Sequence, residues 1–161
     1  MIKKLTIVVA FICFMLQLNA QQSRTKYNFN PDWKFIKANP TDAQLVNYDD
    51  SSWFTISTPH TFNDVDTFDD LSIGKHIGEK NQFRGTVWYR KHFKLPKSDA
   101  DKKIYIEFES VRQIADVYIN GIYLGTNKTG FIPFGYDISK HLKFDGQENI
   151  IAVKVNNDRG E

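Results

Sequence analysis

Through most of this chain apolar and polar residues alternate with a period of two, the spacing of a half-buried β-strand. Ile104-Tyr-Ile-Glu-Phe108 places Ile104, Ile106 and Phe108 on one face and Tyr105 and Glu107 on the other. Ile114-Ala-Asp-Val-Tyr-Ile119 alternates in the same way and runs into Asn120-Gly121. Asn-Gly accepts positive φ at both central turn positions, so it predicts a two-residue hairpin. The return strand follows, with Ile122 and Leu124 continuing the apolar face. This hairpin is the predicted middle of an antiparallel β-sandwich. Further strands are predicted over Asp32–Lys37, Trp53–Ser57, Gly85–Leu95, Phe131–Asp137 and Asn149–Val155. In the Gly85–Leu95 strand, Val87, Tyr89, Phe93 and Leu95 share one face and Trp88, Arg90 and His92 the other. Ile138–Leu142 fits one helical turn. About eight short strands and no long helical period predict an all-β fold, a sandwich or jelly roll. Thr61–Arg84 is the one long irregular connection, a length usually reserved for functional segments. The chain stops soon after Asn149–Val155, which predicts an uncovered edge there, marginal stability and a tendency to associate.

The first residues read differently. Met1-Ile-Lys-Lys4 is basic, Leu5–Leu18 is almost wholly apolar, and Ala20 offers a small residue for cleavage. That layout predicts a secretory signal over residues 1–20, an exported product (periplasmic or extracellular) and one domain over residues 21–161. Nothing after residue 20 resembles a membrane span, so no membrane association is expected once the signal is removed. Loss of Lys3 and Lys4 turns 21 basic and 19 acidic residues into 19 of each. A neutral chain without a Lys/Arg cluster gives no reason to expect nucleic acid as a partner. Cys13, the single cysteine, leaves with the signal, so neither a disulfide nor a thiolate metal site is expected.

Several short motifs then appear in order: Asp32-Trp-Lys-Phe35, Asp50-Ser-Ser-Trp53, Pro59-His-Thr-Phe62 and Gly85-Thr-Val-Trp-Tyr-Arg-Lys91. Phe108-Glu-Ser-Val111, Val117-Tyr-Ile-Asn-Gly121, Gly125–Phe134, Tyr136-Asp-Ile138 and Asn149–Asn157 continue the series. Taken together across residues 30–157, they resemble the amino-terminal sugar-binding domain of glycoside hydrolase family 2, the β-galactosidase, β-glucuronidase and β-mannosidase group. The resemblance implies a jelly-roll sandwich of the galactose-binding type ahead of an immunoglobulin-like domain and a catalytic TIM barrel. It implies a β-galactosidase-like retaining exo-glycosidase acting on terminal β-linked sugars of oligosaccharides or glycans, with both catalytic glutamates on the barrel and outside this chain. It also implies that this domain buttresses the barrel and lends loops to the pocket rim, which points to Thr61–Arg84 and the region around Asp158. The family pattern continues past Glu161, so a domain incomplete at its C-terminal end, inactive alone, is expected.

The residues themselves offer little catalytic chemistry. Retaining and inverting glycosidases need two carboxylates flanking a bond. Glu107 and Glu109 would stand about 6.6 Å apart on one strand face, so both would approach from the same side. The acidic run Asp64, Asp66, Asp69 and Asp70 has Phe68 and Asp69 where a helix-flanked calcium loop needs a polar residue and glycine. His60, His76, His92 and His141 lack metal-ligand spacing, and His60 reads as a loop residue bonded to backbone. No cofactor is implied. For a sugar face or a barrel interface the candidates are Asn81, Arg84, Trp88, Arg90 and Asp158, with Tyr118 and Tyr123 as further aromatic faces, although packing is the commoner fate of such aromatics. Two alternatives to an accessory enzyme domain stay open. One is a free-standing carbohydrate-binding module, the other a protein-binding scaffold.

Overall fold

The computed structural model describes residues 24–62 and 83–158. Among the described residues eight strands form, in the order β1 (Trp33–Ile36), β2 (Phe54–Ile56), β3 (Thr86–Lys94), β4 (Tyr105–Phe108), β5 (Ile114–Ile119), β6 (Ile122–Asn127), β7 (Phe134–Asp137) and β8 (Glu148–Asn156). Six of them make one antiparallel sheet, ordered β2-β1-β3-β8-β5-β6, and β4 pairs with β7 in a second. The all-β sandwich is thus the observed class. The helical turn predicted near residue 140 is a 3₁₀ turn, Ser139–His141.

Alternation along the strands builds the core. Trp33 and Phe35 of β1, Val87 of β3, Ala115, Val117 and Ile119 of β5, and Ile151, Val153 and Val155 of β8 all point inward from the large sheet. Ile106 of β4 meets them from the small sheet, joined by Phe108, Phe134 and Tyr136. Each fully buried Val or Ile there contributes about 1.5–3 kcal/mol.

The predicted edge at Asn149–Val155 is not an edge. β8 bonds to β3 along nine residue pairs, Thr86↔Asn156 through Lys94↔Glu148, and to β5 from Ile114↔Asn156 to Ile119↔Ile151. It is central, and the edges are β2 and β6. The physical sign is the unbroken apolar run Ile150-Ile-Ala-Val153, which is buried on both faces. The argument for marginal stability therefore falls away, and the organising strand is β8 rather than the hairpin.

The hairpin does form as its Asn-Gly pair dictates. Asn120 and Gly121 have φ of 49° and 81°, and Ile119 faces Ile122 across the turn. A register shift at Val117/Tyr118 then brings Val117 opposite Gly125. Leu124 still packs on the core, but Ile122 is 45% exposed, so the apolar face does not continue through it. Asn120 is more than a turn residue. Its side-chain nitrogen donates to the carbonyl of His141 and to Asn149 Oδ1, and its Oδ1 accepts from the backbone of Ile150.

The outer face of the large sheet is covered. Asn39–Trp53 crosses it, burying Ala43 and Trp53 against Trp88 of β3 and Ala152 of β8. Both faces of β3 are therefore internal, which simple alternation did not foresee.

Candidate functional site

The register of the large sheet gathers one set of connections at one end of the sandwich. Ile36 sits opposite Trp88, Thr86 opposite Asn156, and Asn156 opposite Ile114. Lys37, Arg84, Asn157, Asp158, Arg112 and the Asn127–Pro133 connection consequently follow one another along a single rim. Both ends of the long Thr61–Arg84 connection root here. Phe62 and Phe83 lie edge to face with ring centroids 6.0 Å apart, and Lys37 Nζ stands 5.3 Å over the Phe83 ring.

Asn157 fastens that root to the sheet. Its Oδ1 accepts from the backbone of Gly85 at 2.8 Å, its Nδ2 donates to the Phe83 carbonyl at 2.7 Å, and its own backbone N–H reaches the Gly85 carbonyl. Gly85 has φ of 138°, a left-handed geometry suited to glycine. Asp158 follows with its backbone N–H on Asn156 Oδ1 and its side chain exposed. Sequence reasoning named Arg84 and Asp158 but missed Asn157. An Asn-Asn pair directly after a buried strand was the available signal.

Of the named candidates, Arg84 and Asp158 are exposed and come together at this end. Asn81 lies outside the described residues, as do His76 and the acidic run Asp64–Asp70. Trp88 and Arg90 must be corrected. Trp88 is 3% exposed, and its indole N–H donates to Asn39 Oδ1 at 3.0 Å. Arg90 is fully buried; its Nε donates to Asp50 Oδ2 at 2.7 Å, and its terminal nitrogens to the carbonyls of Ala43, Leu45 and Tyr48. Neither can reach a sugar or another domain, because Asn39–Trp53 lies over them. Tyr118 is wedged between Trp88 and Tyr123, while Tyr123 remains 53% exposed.

Arg90 belongs to a charge network. Asp50 Oδ2 also takes a hydrogen bond from His92 Nε2 at 2.8 Å, and His92 Nδ1 lies 3.3 Å from Glu148. Burial pushes the Asp50 carboxyl up, but the hydrogen bonds from His92 and Arg90 outweigh it and hold the group below its ordinary value. His60 bonds a side chain rather than backbone, with Nδ1 3.0 Å from the Tyr89 hydroxyl and its ring against Phe35. Burial, aided by Lys37, lowers the His60 pKa and favours a neutral ring. Glu107 is paired with Arg24, and β4 ends at Phe108, short of Glu109. Among the described residues no group of three potential metal ligands assembles, and no helix is long and apolar enough to cross a membrane.

The rim carries one feature the strand pattern hid. Phe131, Ile132 and Pro133, expected to open a strand, precede β7 as an exposed loop, with Phe131 78% and Ile132 59% exposed. The adjacent apolar pair between Gly130 and Pro133 breaks the two-residue period, and that break was the signal.

Comparison with known proteins agrees with this architecture. The family described as "Glycosyl hydrolases family 2, sugar binding domain" matches residues 28–159. A β-glucuronidase of Formosa agariphila is 76% identical over 138 residues, covering 86% of this chain and 14% of that protein. A β-galactosidase of Thermoanaerobacter pseudethanolicus is 37% identical over 132 residues, covering 82% and 17%. A solved structure of a family 2 β-glucuronidase superposes with a TM-score of 0.77 at 72% identity, over 87% of this chain and 15% of that one. The chain thus spans about one seventh of the length of these relatives. With the sandwich, its strand order and the family match in agreement, the chain belongs to glycoside hydrolase family 2, as its amino-terminal sugar-binding domain.

Proposed function

We propose that this chain is the accessory domain of an exported retaining glycosidase that releases terminal β-linked glucuronic acid from oligosaccharides or glycans. The carrying observation is the 76% identity to a β-glucuronidase, about twice that to the β-galactosidase. This identity favours glucuronic acid among the terminal β-linked sugars of the β-galactosidase-like group that the motifs resemble. Export rests on the basic, apolar and small-residue order of Met1–Ala20. The domain's own part is structural, a reading supported by the family match to a sugar-binding domain and by a rim that, among the described residues, offers positioned side chains such as Asn157. Its catalytic partner is the remainder of a longer polypeptide.

The test begins with the native product, captured by an antibody against residues 21–161 and weighed intact. A mass several times that of this chain, with hydrolysis of a chromogenic β-glucuronide well above that of a β-galactoside, is the expected result. A product of this chain's own mass would refute the reading, as would preference for the galactoside.

A further inference from the structure

We infer that the outer face of the large sheet carries a saccharide site over β5 and β6, where the Tyr123 ring takes the C–H face of a pyranose and Asp116 and Thr126 bond its hydroxyls. The family match describes a sugar-binding domain without placing a site; this one lies on the sheet face, apart from the loop rim. It rests on the reading under Proposed function for its ligand, a glycan chain bearing glucuronic acid.

Three observations carry it. First, strand register sets two rows side by side on the outer face, Lys154, Asp116 and Thr126 in one and Ala152, Tyr118 and Tyr123 in the next. Asn39–Trp53 buries Ala152, whereas Tyr123 is 53% exposed, Thr126 is exposed and Asp116 and Tyr118 are half-buried. That segment also passes the hairpin, where the Gln44 carbonyl lies 3.8 Å from the place of a Cβ on Gly121. The open patch is therefore a step with the segment as its wall. Second, the aromatic surface is prearranged. The Tyr118 and Tyr123 rings stand 5.4 Å apart, and Tyr118 is braced on Trp88 at 5.9 Å. A braced ring loses little freedom on binding. Tyrosine joins an apolar face to a polar tip, and a pyranose does the same with its C–H face and hydroxyl edge. Third, the polar groups are directed. The Asp116 carboxylate can only accept, so Thr126 spends its one proton there and the Tyr123 hydroxyl donates to Thr126. The second Asp116 oxygen has no side-chain partner among the described residues and can accept from a sugar hydroxyl. Burial, then nearby Asp116 and Tyr123, push the Tyr118 hydroxyl up, which keeps it a donor. These are bonds to neutral hydroxyls, so the choice of ligand does not turn on net charge, that of the acidic run Asp64–Asp70 outside the described residues included.

The test titrates the isotope-labelled chain with a tetrasaccharide in which β-linked glucuronic acid alternates with N-acetylglucosamine, and follows backbone amide shifts. Shifts centred on Asp116, Tyr118, Tyr123 and Thr126 are expected, with a dissociation constant of about 1 mM. Tyr123→Ala is expected to weaken binding about tenfold, the loss of an aromatic anchor. Thr126→Val keeps the shape, removes the hydroxyl and should weaken it about threefold. Phe131→Ser, at the loop rim, is expected to leave binding unchanged. All three positions are exposed, so an unchanged urea midpoint shows that each variant folds. Full affinity in a folded Tyr123→Ala variant would overturn the site, as would shifts gathered instead on Arg84, Arg112 and Asp158. No shift up to about 10 mM tetrasaccharide, beside a native product that cleaves the β-glucuronide, would overturn the site and leave the Proposed function standing. A native product of this chain's own mass that still binds at Tyr123 would overturn the Proposed function and keep the site.

Discussion

Replacing Asp50 by asparagine tests whether the segment over the outer face is held by charge. Asp50 is 7% exposed and accepts from both Arg90 Nε and His92 Nε2, while Arg90 is fully buried. Asparagine keeps the size but removes the negative charge opposite a guanidinium that has no route to water. Removing one partner of a buried pair costs about 3–5 kcal/mol. The lower end applies here, because the carbonyls of Ala43, Leu45 and Tyr48 still accept from Arg90. With a urea slope of about 2 kcal/mol/M, a loss of about 3 kcal/mol lowers the midpoint by about 1.5 M. Tryptophan fluorescence reads the transition, since Trp53 of this segment and Trp88 beneath it share one buried cluster. A shift under about 0.5 M with an unchanged slope would refute the reasoning, because it would price Asp50 as a surface ion pair. Arg90→Met together with Asp50→Leu, which removes both charges, should lose less than Asp50→Asn alone if unpaired charge is the cause.

Other expectations follow from the same geometry. Asn157→Ala removes two side-chain hydrogen bonds to the root of the long connection and should cost about 1–3 kcal/mol, with faster amide exchange at Gly85 as the local readout. Gly135→Ala would place a Cβ 2.6 Å from the Ile106 carbonyl oxygen, so the β4–β7 pair must separate; a loss of about 1–3 kcal/mol in urea is expected. Acid should destabilise the fold through Asp50 and Asp137, whose carboxyls are held below the ordinary 3.8. The Ser139 hydroxyl and backbone N–H, then Lys103, hold Asp137 at about 2. Because folded values lie below unfolded ones, their stabilisation is complete above the unfolded value and fades as pH falls through the folded values, here from about 4 towards 2. The urea midpoint followed over that range checks this, and Asp50→Asn should flatten part of the decline.

The strands and the core were legible because both depend on local rules. Alternation placed Val117, Ile119 and Ile106 inward, and Asn120-Gly121 closed its turn as backbone sterics require. Even the central place of β8 was foreshadowed in Ile150-Ile-Ala-Val153, since only a strand buried on both faces tolerates such a run. What the sequence could not determine was which segments lie over which faces. Trp88 and Arg90 occupy positions that alternate outward, and only the passage of Asn39–Trp53 across the sheet turns them into interior residues. The cause is long-range. Asp50 meets Arg90 forty positions away and Asn157 meets Phe83 seventy-four positions away, distances over which no periodicity speaks. The rim is of the same kind: Arg84, Arg112, Phe131 and Asp158 are far apart in the chain and become neighbours because sheet register brings their strand ends to one end of the fold. Local sequence set the elements, and the pairing order of the strands decided which side chains were left to face a partner.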